Sequence, residues 1–170
     1  MRKKGRSMIT STDWIQTLGL VPHPEGGYYR EFYRSPVETG KGCSIGTVIY
    51  YLLTGNDFSA FHSLSSHEIW HFHHGSAFLI HIIDPRSNYR RVRLGTDAPA
   101  GETPCFVIPA GHWFGAEVAE ENSFALASCT VMPGFSYDGF IMPSREQLIS
   151  QFPDLREEIV RLTRKEQDPV

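Results

Sequence analysis

Apolar and polar residues alternate in short runs from about residue 28 to residue 142, and the runs are rich in aromatic and β-branched side chains. Segments 28–33, 44–53, 58–64, 68–73, 77–83, 89–94, 105–108, 113–118, 123–131 and 135–142 therefore read as strands. Turn formers such as Thr54-Gly55-Asn56-Asp57, His74-Gly75 and Asp84-Pro85 separate them. Helical texture is confined to the ends. Ser11-Thr12-Asp13 offers an N-cap for a short helix over 13–18 that stops at Gly19. Beyond Pro143, segments 145–152 and 154–164 regain a helical period, with Leu155, Ile159 and Leu162 spaced by four and three. Many short strands without helices between them predict an all-β antiparallel sandwich or barrel, with the helices packed outside.

The chain of 170 residues is the size of one ordinary domain, here residues 11–170 behind a flexible basic tail over 1–10. Hydrophobic residues make up 41% and charged residues 21%, which argues against disorder and against a membrane protein. The formal net charge of −3 supplies no field for nucleic acid, and the dense positive run Arg2, Lys3, Lys4 and Arg6 falls in the tail. No apolar run is long enough for a membrane helix or a signal peptide, so a cytoplasmic location is expected. Cys43, Cys105 and Cys129 are widely spaced, with no CxxC pair, and the two in apolar runs, Cys105 and Cys129, read as core.

Histidine is concentrated where the strands are densest: His62, His67, His71, His73 and His74 lie within thirteen residues. Alternation along a strand puts Glu68, Trp70, Phe72 and His74 on one face and Ile69, His71 and His73 on the other, so the five cannot converge on one ion. The run Phe61-His62-Ser63-Leu64-Ser65-Ser66-His67-Glu68, with Gly75 beyond it, resembles the first motif of the cupin superfamily. Pro109-Ala110-Gly111-His112-Trp113-Phe114 resembles the second. The resemblance implies a jelly-roll β-barrel that presents these positions to a central cavity. Two of the usual ligand positions fall on Leu64 and Phe114, so no metal cofactor is expected; His62, Glu68 and His112 are the set a metal-dependent variant would use.

A narrower resemblance spans roughly 14–152. Leu18-Gly19-Leu20-Val21-Pro22-His23-Pro24-Glu25-Gly26-Gly27-Tyr28-Tyr29-Arg30-Glu31, Glu68-Ile69-Trp70-His71-Phe72-His73-His74-Gly75, the second motif above and Pro133-Gly134-Phe135 are similar to the cupins of domain-of-unknown-function family 985. After the PGF turn this chain keeps one acid, Asp138. The resemblance implies a shape like that of deoxysugar epimerases, and a homodimer. Such chemistry needs a base and an acid on opposite faces of a carbon acid. His62 suits the base, Glu68 its charge partner, and Tyr29 the acid. Arg30 and Glu31 follow paired glycines on an aromatic strand, which suits a phosphate anchor or, equally, a solvated ion pair. Trp70, His71, Phe114, Phe135 and Tyr137 complete the candidate ligand contacts. The favoured ligand is a nucleotide, nucleotide-sugar or sugar phosphate. Three readings remain: a metal-independent epimerase or isomerase, a non-catalytic binding or storage protein, and a divalent-metal enzyme.

Overall fold

The strand-forming runs fold into two antiparallel sheets in the computed structural model, which describes residues 9–40 and 42–164. The larger sheet runs β1 (Val21–Pro22), β2 (Tyr28–Arg34), β3 (Thr47–Thr54), β10 (Phe124–Met132), β5 (His67–Gly75) and β8 (Cys105–Ile108). The smaller runs β11 (Phe140–Ile141), β4 (Phe58–Leu64), β9 (Trp113–Val118), β6 (Phe78–Ile83) and β7 (Tyr89–Leu94). They face each other as a jelly-roll sandwich and do not close into a continuous barrel. Inward residues of both sheets, among them Leu53, Trp70, Phe78, Ile80 and Phe114, make the central core, each at most 1% exposed. The basic run at Arg2, Lys3, Lys4 and Arg6 lies outside the described residues.

Three helices among the described residues cover the outer faces. α1 (Ser11–Leu18) starts at a capping box between Thr10 and Asp13, one residue before the expected cap, and ends at Gly19 in the left-handed region. It covers Leu52 and Leu126 on the back of the larger sheet. α2 (Arg145–Gln151) and α3 (Arg156–Arg161) press Leu148, Ile159 and Leu162 onto Phe61 and Ile83 of the smaller sheet. A 3₁₀ turn at Pro153–Leu155 replaces the start of the second expected helix, because Pro153 has no N–H to continue α2. Among the described residues no helix is long and apolar enough to cross a membrane.

Several sequence expectations change in the fold. The strand expected over 135–142 shrinks to β11, because the Gly134 and Phe135 amides donate to Ser44 O and the Thr47 hydroxyl and not to a neighbouring strand. The strand expected from 44 begins at Thr47, since the Ser44 hydroxyl donates to backbone carbonyls of Ser35 and Gly46 in a turn. A bulge where β5 meets β10 opposes Leu126 to His74 and Ala127 to Phe72. It breaks the alternation at His73, so His74 turns outward against Trp14 and Phe124 and not inward beside Trp70. Cys105 is exposed, not core, because it starts edge strand β8; Cys129 is buried.

Candidate functional site

One end of the sandwich opens into a cavity of about 300 Å³ between β2 and β3 on one side and β4 and the PGF turn on the other. Strand alternation decides who enters it. Tyr29 and Glu31 on β2 point inward, and Arg30 between them points outward to lie near Gly19 at the end of α1. A second bulge at Phe32 shifts the parity once, and Arg34 returns to the cavity side. Arg34 there donates from Nε and one terminal nitrogen to Glu31, at 2.9 and 2.7 Å, and from the other to Phe135 O.

The segment His23-Pro24-Glu25 forms a lip of the cavity, held by three anchors. Ala60 N–H donates to Glu25 O, Gly27 N–H donates to Asp57 Oδ2, and Arg164 clasps Asp57. The Glu25 amide donates to His23 Nδ1 at 3.2 Å, which leaves the neutral imidazole's proton on Nε2. Nε2 has no hydrogen-bond partner among the described residues, while the ring stands edge-on to Tyr29. Burial pushes the His23 pKa down and favours that neutral form.

Glu25 is 6% exposed; its Oε2 lies 3.1 Å from His62 Nε2 and its Oε1 accepts from the Ser59 hydroxyl. His62 donates from Nδ1 to Ala60 O at 2.7 Å, so one proton lies between His62 Nε2 and Glu25 Oε2. Desolvation pushes Glu25 up and His62 down to about 4, which favours the neutral carboxyl and neutral imidazole over an ion pair. Both ring nitrogens of His62 are thus engaged inside the protein, and Phe114 packs on its ring at 4.0 Å between centroids. The charge partner of His62 is Glu25, not Glu68 as the sequence suggested, because Glu68 lies across the sandwich on β5.

Glu68 faces the cavity from β5 with Oε2 buried and without a hydrogen-bond partner among the described residues. Burial, with a smaller contribution from nearby Glu25, pushes its pKa up to about 8. Tyr29 closes one wall, and burial raises the pKa of its hydroxyl, which stays protonated at neutral pH. Phe135, Tyr137 and Phe140 from the PGF turn form the apolar side of the mouth.

Of the sequence candidates, the cavity brings together Tyr29, Glu31, His62, Glu68, Phe135 and Tyr137. Four others lie elsewhere. Arg30 is on the outward face, Trp70 is in the core between Tyr51 and Phe78, Phe114 lies behind His62, and His71 points outward beside Cys105 and Thr130. His23, Glu25 and Arg34 line the cavity without having been singled out. The sequence signal for the first two was the HPEGG segment itself, whose turn carries two polar side chains towards the strand that follows. Arg34 carried no signal, because the bulge that returns it to the cavity is invisible in the pattern.

The comparisons with known proteins agree with this architecture. A protein of Shewanella oneidensis, SO0799, is 36% identical, with a TM-score of 0.90 over 94% of this chain and 100% of that one. A hypothetical protein from Leishmania major is 35% identical, with a TM-score of 0.85 over 92% and 100% of the chains. The uncharacterized yeast protein YML079W of Saccharomyces cerevisiae is 28% identical over 142 residues, 73% of this chain and 70% of that protein. Oxalate decarboxylase of Bacillus subtilis, which has Mn(II) centres, shares the fold at 19% identity and a TM-score of 0.55, over 86% of this chain and 38% of that one. The donor set here does not fit a metal of that kind: Leu64 and Phe114 carry no ligand atoms, and both His62 nitrogens are already engaged. His112 donates from Nδ1 to Ala110 O on the turn, and no three His, Cys, Asp or Glu side chains among the described residues converge as ligands. The family model described as Cupin superfamily (DUF985) matches residues 12–143, and on that match this chain belongs to the cupin superfamily, in the DUF985 family.

Proposed function

We propose that the protein is a metal-independent isomerase or epimerase that moves a proton on a small carbonyl compound held in the cavity. The observation that carries this reading is Glu68: a buried carboxyl, unpartnered at Oε2, whose pKa of about 8 suits proton transfer near neutrality. The roles follow from which polar atoms at the cavity lack a hydrogen-bond partner among the described residues. Ionised Glu68 takes the proton from carbon next to the carbonyl, the C–H electron pair becomes a C=C bond, and the carbonyl electrons pass to oxygen. Neutral His23 donates its Nε2–H to that oxygen. In an isomerase, protonated Glu68 returns the proton to the former carbonyl carbon while the neighbouring hydroxyl gives its proton to His23 and becomes the new carbonyl. In an epimerase, the Tyr29 hydroxyl delivers a proton to the same carbon from the opposite wall, the oxygen returns its proton to His23, and exchange with water resets Glu68 and Tyr29. Glu25 and His62 act as positioning residues: their buried pair holds the lip from which His23 reaches the ligand.

The test needs no knowledge of the product. Deuterium uptake from D₂O is followed by NMR across free ketoses and aldoses, sugar phosphates, nucleotide-linked sugars and 2-oxo acids. Exchange into one of them is expected, rising about tenfold per pH unit and levelling near pH 8 as Glu68 ionises. Glu68→Gln should abolish it with ligand affinity at neutral pH little changed, and His62→Asn should lower it without removing the pH profile. Saturable binding with no exchange in any compound would instead assign the protein to non-catalytic binding.

A further inference from the structure

The cavity's charge and size are more specific than its chemistry. Among the described residues, three carboxyl groups, Glu25, Glu31 and Glu68, line it with one guanidinium, Arg34. That guanidinium is already paired: three of its five N–H groups go to Glu31 and Phe135 O, and the Glu31 carboxylate balances its charge. The polar groups without a partner among the described residues are neutral donors, His23 Nε2–H and the hydroxyl of Tyr29, together with the buried Glu68 Oε2. Around them stand Ile49, Leu64, Val131, Phe135 and Phe140, which offer an anion nothing. A phosphate or carboxylate brought here would be stripped of water with no unpaired cation among the described residues to meet it, which is unfavourable.

The volume points the same way: at about 300 Å³ the cavity is at the small end of ligand sites, which favours a compact ligand such as a monosaccharide.

We infer that the cavity selects an uncharged, monosaccharide-sized carbonyl compound and turns away its phosphorylated and nucleotide-linked forms. The selection against anions rests on the Arg34–Glu31 fork: Glu31 balances the charge of the one guanidinium among the described residues at the mouth. This inference rests on the proton-transfer reading only for the carbonyl; charge and size come from the cavity itself.

Calorimetric titration at pH 6.5 with free pentoses and hexoses, their terminal phosphates, their UDP conjugates and hexosamines tests it. At least one free sugar should saturate the protein at millimolar concentration, with its phosphate and UDP conjugate bound at least about tenfold more weakly, a difference well within the range of a lost or gained charge contact. Glu31→Gln, which leaves the Arg34 charge unbalanced, should strengthen phosphate binding relative to the free sugar by about tenfold. Tighter binding of a phosphate or UDP conjugate than of the free sugar overturns the inference. So does tighter binding of a hexosamine with proton release, which marks a cation site, and so does the absence of binding by every free sugar up to tens of millimolar. Free-sugar binding without deuterium exchange would remove the enzymatic reading and leave this one standing; exchange confined to a phosphorylated sugar would do the reverse.

Discussion

Glu68 and His62 face the same cavity with opposite responses to burial, and together they set how the folded protein responds to pH. Burial raises Glu68 from its ordinary 4.5 to about 8, so between those values the folded protein holds a proton that the unfolded chain has released. Stability from this residue is therefore complete below about pH 4.5 and declines until pH 8. Burial lowers His62 from 6.5 to about 4, so its contribution is complete above pH 6.5 and is lost as pH falls through that interval. The two oppose each other between about 4.5 and 6.5, and above 6.5 the Glu68 effect is left. The ligand-free protein should lose about 2 kcal/mol between pH 6.5 and 8, read as a falling melting temperature. Glu68→Gln should flatten that fall; an unchanged slope would show that Glu68 is not the group that titrates. A sugar oxygen accepting from protonated Glu68 should shift the fall to higher pH.

At the scale of elements, the site depends on a few irregularities in otherwise regular strands. The lip carrying His23 and Glu25 enters β2 through Gly26, whose φ of 117° is a conformation that other residues rarely adopt. A Cβ at Gly26 would also collide with Phe58 O and the Arg164 guanidinium. Gly26→Ala should cost more than about 2 kcal/mol in urea unfolding and reduce deuterium exchange further than that loss of stability explains, because Glu25 then leaves His62. Equal loss at sites far from the lip would argue for a general effect on folding. The bulges matter in the same way. The extra residue Phe32 returns Arg34 to the mouth beside Glu31, and the bulge at His73 turns His74 away from the core and onto Trp14 of α1.

Across the whole molecule, each sheet buries one face against the other and needs cover for the outer face. The C-terminal helices supply it for the smaller sheet, with Ile159 fully buried over Phe61 and Ile83. Arg161 also reaches Glu117, which accepts from buried His81 at 3.1 Å. Ile159→Ala should therefore destabilise the fold by about 3 kcal/mol in a single unfolding transition, measured by urea titration. A change below about 1 kcal/mol would mean that the helices are peripheral to the cooperative unit.

Most strands, the three described helices and the cupin resemblance were legible in the sequence, because period-two alternation, turn residues and the motif segments 61–68 and 109–114 are local properties of the chain. Tyr29, His62, Glu68 and Phe135 were legible as site residues for the same reason: each stands inside a recognisable segment. What the tertiary structure alone decided is which of their neighbours face the ligand. One inserted residue in a strand reverses every side chain beyond it, so Arg34 faces the cavity although it has the same parity as the outward Arg30. The pairing of His62 with Glu25 in place of Glu68, and the freedom of Glu68 Oε2, arise where a loop folds against β4 of the opposite sheet. Contacts between segments so far apart in sequence depend on how the sheets are stacked, and the local pattern of the chain carries no record of that.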